Sequence, residues 1–289
     1  MYRLLQYNID GKMYNAVKNL YSHTESCIRI NNMISEFSEF FLINNGVRQG
    51  DTLSPTIFAL YINELAKEIK SMNIVLTMNG MNISILLYAD DIVLLAPSEH
   101  NLQSMLDKMY AWCNNWRLKL NETKTKVVHF RRKRHPLTGI QFQYGNEQLE
   151  KVSEYRYLGI IFDEFFTFEN CSNTLADSGG RALGAMWHKL KQLKEIKYKS
   201  YTKLFDAGVL SVMDYGSCIW AKPNKHCHGE MIQNKAIRYF LGVHNFTAIA
   251  ALQGEMGWLP AKYRRLLNKL RFWNRLIKMP NERLTKQLF

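Results

Sequence analysis

The 289-residue sequence predicts an α+β fold, with hairpins in its first half and helices in its second. Three observations predict it. Two apolar runs, Ile83–Tyr88 and Ile92–Ala96, flank a polar turn, which is the pattern of a buried β-hairpin. Apolar residues recur at helical spacing from Pro55 onward, and beyond about Arg181 the pattern is helical almost throughout. Apolar residues make up 47% and charged residues 22%, enough apolar side chain for a packed core and unlike the composition of a disordered chain. At this length one or two domains are expected.

Taken in order, Ile9–Met13 reads as a turn, Met13–Tyr21 as a helix and Ser26–Ile30 as a short alternating strand. Pro55 opens a helix whose inward face is Ile57, Phe58, Tyr61, Leu65 and Ile69, with Ser54 where a cap would stand. After the hairpin, Pro97-Ser98 breaks the chain. A long amphipathic helix follows, carrying Leu102, Met105, Leu106, Met109, Cys113 and Trp116 on one stripe. These Met and Trp residues read as core. Val127–Phe130 is a strand closed by the basic run Arg131–Arg134, and the segment from there to Gly139 is the best candidate boundary. Ile140–Tyr144 and Tyr155–Phe162 read as strands. The segment Lys262–Lys286 carries nine Lys and Arg against Glu282 alone, interleaved with Tyr263, Leu266, Leu267, Leu270, Trp273, Leu276 and Ile277.

Several function classes are excluded. No run of eighteen apolar residues exists to span a membrane, and the first ten residues are too polar for a secretory signal. Five scattered cysteines, with no C-x-x-C pair, fit a reducing intracellular compartment, nuclear or cytoplasmic, rather than a disulfide framework. The excess of 38 Lys and Arg over 25 Asp and Glu gives a formal charge of +13, which favours a polyanionic partner through counterion release.

Two motifs carry chemistry. Asp90 and Asp91 sit at the hairpin tip, where paired strands hold both carboxylates stiffly. Carboxylate oxygens suit hard cations such as Mg²⁺, and two such ions about 3.5–4 Å apart can clamp an in-line phosphoryl displacement. Aspartate is also common in turns for purely structural reasons. Upstream, Gly46–Pro55 feeds into the helix; its glycines permit close backbone approach, Arg48 offers a planar fork to phosphate, and Gln49 both donates and accepts. Read alone, this too could be a loop that merely caps a helix. His226, Cys227 and His228 invite a metal reading, but adjacent residues rarely meet one ion.

Together the two motifs are specific. Gly46-Val47-Arg48-Gln49-Gly50-Asp51 with Leu53-Ser54-Pro55 resembles the nucleotide-binding loop of reverse transcriptases, and Tyr88-Ala89-Asp90-Asp91 resembles their palm hairpin. Leu118–Lys126 resembles the next palm motif, and Tyr155–Ile160 the strand leading toward the primer grip and thumb. Asp214–Trp220 and Asn234–Arg238 resemble the region after the polymerase domain. The wording is closest to non-LTR (LINE-type) retrotransposon enzymes. The resemblance implies a right-hand palm over 46–135, preceded by a remnant between fingers and palm over 1–45. A thumb-like, mainly helical C-terminal region follows over 136–289. It implies RNA-directed DNA synthesis with two Mg²⁺, Asp90 and Asp91 as metal ligands and Arg48, Gln49 and Gly50 at the nucleotide. Lys124 would donate a proton to the leaving pyrophosphate, and the partners would be an RNA template, a DNA primer and deoxynucleoside triphosphates. No oligomeric state follows from it.

The match departs from the family in one respect. Such polymerases hold both metals with a further aspartate on a strand before the Gly-Val-Arg-Gln-Gly loop. Here only Asp10 and Asp51 precede or touch that loop, and Asp10 lies in a segment resembling the turn after that strand. The expectation is an N-terminally truncated chain with the fingers largely missing, no endonuclease domain, and no polymerase activity of its own. Electrostatic groups aimed at developing charge are each worth about 10²–10³ in rate, so a missing shared ligand is severe. The alternatives are a nucleic-acid-binding remnant without catalysis and a host-recruited protein scaffold.

Overall fold

A computed structural model describes residues 1–28, 38–43, 46–193, 195–222 and 228–289. The first half runs α1 (Tyr2–Gln6), α2 (Gly11–Ser22), β1 (Glu25–Ser26), β2 (Phe41–Leu42), α3 (Ser54–Ser71), β3 (Leu76–Met78), β4 (Met81–Ile83), β5 (Ile85–Tyr88), β6 (Asp91–Leu94) and α4 (Glu99–Asn115). There follow β7 (Lys126–Val127), β8 (Gln143–Tyr144), β9 (Glu147–Gln148), β10 (Glu150–Lys151), β11 (Glu154–Tyr157) and β12 (Ile160–Asp163). The remainder is helical: α5 (Glu169–Leu190), α6 (Tyr198–Leu204), a π-helical turn (Phe205–Leu210), α7 (Ser211–Met213), α8 (Ser217–Trp220), α9 (His228–Leu241), α10 (Ile249–Met256), α11 (Ala261–Ile277) and α12 (Leu284–Leu288). The α+β content is as the sequence predicts. Contacts divide the chain into two units, Met1–Leu120 with Gln143–Glu147, and Asn121–Phe142 with Gln148–Phe289.

In the first unit α3 packs on α4 and on β5. The core is Ile62, Leu65 and Ile69 from α3 and Met105, Leu106, Met109, Trp112 and Cys113 from α4. Trp112, absent from the predicted stripe, is among the most deeply buried residues, whereas Leu102 and Trp116 are only half-buried. Burial pushes the Cys113 thiol up, so it stays protonated and inert. Ser98 caps α4, its hydroxyl accepting from the Asn101 amide at 3.3 Å. The predicted strand Ile83–Tyr88 is divided at buried Ser84, so that Ile83 closes a β3–β4 hairpin while Ile85 begins β5. The strand predicted over Ser26–Ile30 survives only as β1, and Arg29 and Ile30 lie outside the described residues.

The second unit departs further from the sequence reading. Instead of a strand over Val127–Phe130, only Lys126–Val127 pairs, parallel to Glu150–Lys151. Arg131, the first residue of the basic run, binds Glu164 at 2.8 Å. Tyr155–Phe162 is not one strand but the hairpin β11–β12, with Tyr157 paired to Ile160. Leu158 and Gly159 both have positive φ, 47° and 82°, the requirement of a two-residue hairpin turn, and residue alternation alone does not reveal that reversal. Helix begins at Glu169, twelve residues before the periodicity becomes clear, because Gly179-Gly180 depresses local helix propensity. A Cβ on Gly179 would fall on the Met213 side chain, so the glycine is what lets α5 approach α7.

Two carboxylates organise this unit. Asp214, only 6% exposed in its side chain, accepts from Arg264 Nε at 2.7 Å and Arg265 Nε at 2.8 Å. Arg265 also lies over the Trp220 ring at 4.6 Å, and Trp220 donates to the Tyr215 carbonyl. The motif Asp214–Trp220 is thus a buried joint between α8 and α11. Asp163 holds the tight loop before α5: its carboxylate accepts from the amides of Phe165, Thr167 and Phe168 and from the Thr167 hydroxyl, at 2.7–3.1 Å. Burial opposes ionisation of Asp163, but these donors outweigh it and hold its pKa below the ordinary carboxylate value. A depressed folded-state pKa gives stability that is present above the unfolded value near 4 and lost as pH falls through the folded value. Asp163→Ala is therefore expected to cost about 1–2 kcal/mol at neutral pH. In urea titrations the gap from the parent chain should close below about pH 4; a gap independent of pH would contradict this role.

Candidate active site

The loop Gly46–Leu53 turns at Gly46 and Gly50, whose φ values of 91° and 88° any side chain would strain. Its anchors are Tyr21 on α2, Thr24 just beyond that helix and Ser54 at the start of α3. Arg48 Nε donates to Thr24 Oγ1 at 3.2 Å, and its terminal guanidinium nitrogens have no hydrogen-bond partner among the described residues. Asp51 Oδ1 accepts from the Leu53 amide at 3.1 Å. Ser54, predicted to cap α3, does not: Leu53 occupies the cap position, and buried Ser54 donates its hydroxyl to the Arg48 carbonyl at 2.6 Å. The Tyr21 hydroxyl lies 3.0 Å from Ser54 Oγ and 3.4 Å from Asp51 Oδ2. Arg48 is half-buried, while Gln49 and Gly50 are exposed. Behind the loop lies a cleft of about 330 Å³ lined by Arg3, Leu4, Val17, Tyr21, Val47 and Arg48 among others.

In the same unit the β5–β6 hairpin pairs Ile85 with Leu94, Leu86 with Val93, Leu87 with Ile92 and Tyr88 with Asp91. That register leaves Ala89 and Asp90 as the two turn residues. Ile85 is buried and Leu86, Leu87 and Ile92–Leu94 are half-buried, so apolar packing anchors the stem while Tyr88, Ala89, Asp90 and Asp91 stand in solvent. Ala89 takes φ of 50°, a left-handed conformation that costs an alanine about 1 kcal/mol. Neither aspartate forms an ion pair with any described residue.

Two free, exposed carboxylates on successive residues fit a hard divalent cation that completes its coordination with water and phosphate oxygens. They do not form a closed protein cage. Among the described residues no group of three or more His, Cys, Asp and Glu is placed to hold an ion. Of the adjacent trio read earlier as a metal candidate, His226 and Cys227 lie outside the described residues, and His228 pairs with Asp177 at 3.2 Å.

Lys124 belongs to the other unit. It is exposed, in a turn where the Asn121 side chain accepts from its amide at 3.1 Å and the Tyr155 hydroxyl donates to its carbonyl at 3.0 Å. Sequence reasoning missed Tyr21 and Thr24. Nothing in a helix reading of α2 marks two residues near its C-terminal end as partners of a loop more than twenty positions away.

A sequence profile described as reverse transcriptase (RNA-dependent DNA polymerase) matches residues 3–162. The chain is 29% identical over 142 residues to an RNA-directed DNA polymerase from the mobile element jockey of Drosophila funebris, covering 47% of this chain and 15% of that protein. It is 31% identical to a putative transposon-derived protein of Caenorhabditis elegans over 49% of this chain and 50% of the other. A probable RNA-directed DNA polymerase from transposon BS of Drosophila melanogaster is 25% identical over 78% of this chain and 25% of its own length. The chain thus spans no more than about half the length of these relatives.

The tip geometry has a direct test. Ala89→Gly removes the left-handed penalty and is expected to stabilise the fold by about 0.5–1 kcal/mol, read as a higher urea midpoint at unchanged slope. An unchanged or lower midpoint would mean that Ala89 carries no such strain.

Proposed function

Because the chain belongs to the reverse transcriptase (RNA-dependent DNA polymerase) family, in its non-LTR retrotransposon branch, we propose that it carries the palm of an RNA-directed DNA polymerase. The observation that supports this most is the hairpin tip. Two exposed aspartates stand on a stem anchored by packing, in the same unit as a glycine-bent loop that presents Arg48, Gln49 and Gly50. In this reading the palm covers 46–135, the segment 1–45 leads into it, and 136–289 forms the thumb-like region and helical extension.

Asp90 and Asp91 would hold Mg²⁺ together with the triphosphate. So bound, two ions would supply Lewis-acid charge at the attacking 3′ oxygen and the departing pyrophosphate. Arg48 would steady the phosphates through its free guanidinium nitrogens, since Thr24 already fixes its Nε. Gln49 would meet base or sugar, and Gly50 lets the backbone approach. Lys124 would give its proton to the leaving group. The template strand is RNA, the primer DNA and the substrates deoxynucleoside triphosphates. The excess of basic residues, including exposed Lys262, Arg271 and Arg275 on α11, would bind phosphates by counterion release.

With two carboxylates in place of a full set, the chain by itself does not extend a primer. The test is fluorescence anisotropy on an RNA·DNA hybrid beside primer extension on poly(rA)·oligo(dT) with Mg²⁺. Hybrid affinity is expected to fall at least tenfold between about 50 and 200 mM salt, and no product should exceed that of an Asp90→Ala control. Salt-independent binding would overturn the nucleic-acid reading. Extension that Asp90→Ala abolishes would overturn the claim of inactivity and reveal a third ligand within the chain.

A further inference from the structure

The loop Gly46–Leu53 borders a cleft of about 330 Å³ lined in part by Gly46, Val47 and Arg48. Hydrogen bonds reach it from Tyr21 on the last turn of α2 and from Thr24 just beyond that helix. We propose that Tyr21 and Thr24 are positioning residues that set this loop and thereby the direction in which Arg48 and Gln49 are presented. The proposal rests on the reading of Gly46–Pro55 as a nucleotide-binding loop.

The hydroxyl bookkeeping assigns the donors. Ser54 Oγ gives its proton to the Arg48 carbonyl at 2.6 Å, so its oxygen is left to accept from Tyr21 at 3.0 Å. The same Tyr21 proton also faces Asp51 Oδ2 at 3.4 Å, while Asp51 Oδ1 holds the Leu53 amide. One phenol therefore ties the loop at Asp51 and at Ser54, and through Ser54 reaches the Arg48 carbonyl. Thr24 adds the second tie. Its buried hydroxyl accepts from Arg48 Nε at 3.2 Å, and its carbonyl accepts from the Ile43 amide at 2.7 Å, joining the chain on the other side of the loop. Neither residue touches the proposed ligand; each acts through Arg48, Asp51 or Ser54. A guanidinium fixed at Nε keeps its plane, which is what recognition of phosphate by two parallel hydrogen bonds requires.

The experiment uses the full chain and three variants. Tyr21→Phe removes one oxygen and keeps the ring, Thr24→Val removes the acceptor at constant shape, and Thr24→Ser restores it. Amide hydrogen exchange over 46–53 and the affinity for a fluorescent deoxynucleoside triphosphate with Mg²⁺ are measured beside the thermal midpoint. Tyr21→Phe and Thr24→Val are each expected to raise loop exchange about tenfold with little change elsewhere. Nucleotide affinity should weaken by about the same factor, and Thr24→Ser should behave as the parent. Loop exchange that does not respond to either variant overturns the proposal, as does a response spread evenly over the whole chain. If the parent chain binds no nucleotide while the loop still loosens in both variants, the nucleotide reading has failed and the positioning role stands.

Discussion

The position of the two tip aspartates depends on one constraint, the register of β5 and β6. Pairing Tyr88 with Asp91 leaves only Ala89 and Asp90 to reverse the chain. A two-residue turn permits little freedom, and here it forces an alanine into a left-handed backbone. The cost is tolerated because the stem below is anchored by Ile85 and its half-buried neighbours against α3. Shifting the register by one residue would send every apolar side chain of the stem to the opposite face. The core therefore fixes where the two carboxylates stand, although neither touches it.

The loop Gly46–Leu53 is held in a different way. It borders a cleft, and hydrogen bonds from Tyr21, Thr24, Asp51 and Ser54 hold it. A hairpin tip set by packing and a loop set by polar ties respond differently to perturbation. Packing resists salt and single polar substitutions, whereas a loop held by a few hydroxyls is sensitive to the loss of one oxygen. The second unit shows a third solution, in which buried Asp214 joins α8 to α11 through Arg264 and Arg265. Buried charge of this kind tolerates loss of one partner poorly, since the others are left without compensation.

How much of this was legible in the sequence differed by physical cause. The α4 stripe, the α3 helix and the 83–96 hairpin were readable because burial imposes a period on the side chains. The hairpin at Leu158-Gly159 was not, since Tyr155–Phe162 alternates like a single strand and the reversal is carried by two positive φ values. The early start of α5 was hidden by Gly179-Gly180, which weakens the helix locally, and Gly179 is required by the Met213 side chain from a distant segment. Ser54 looked like a cap, yet the loop draws its hydroxyl inward to Arg48. On α11 the interleaved apolar residues are mostly in solvent; of the large ones Leu276 alone is buried among the described residues, while Arg265 lies buried over the Trp220 ring. At the candidate site, the residue types and their order were readable, while the supports behind them were tertiary and carried no local pattern.

The most direct test of the account asks whether the hairpin tip holds a divalent ion. Free Mn²⁺ gives a strong paramagnetic resonance signal that weakens when the ion binds protein. Titration of the parent chain is predicted to show binding that Asp90→Ala and Asp91→Ala each abolish, with the fold unchanged by circular dichroism. Equal Mn²⁺ binding by the parent and both variants would contradict the account, because the tip carboxylates would then not be the ligands.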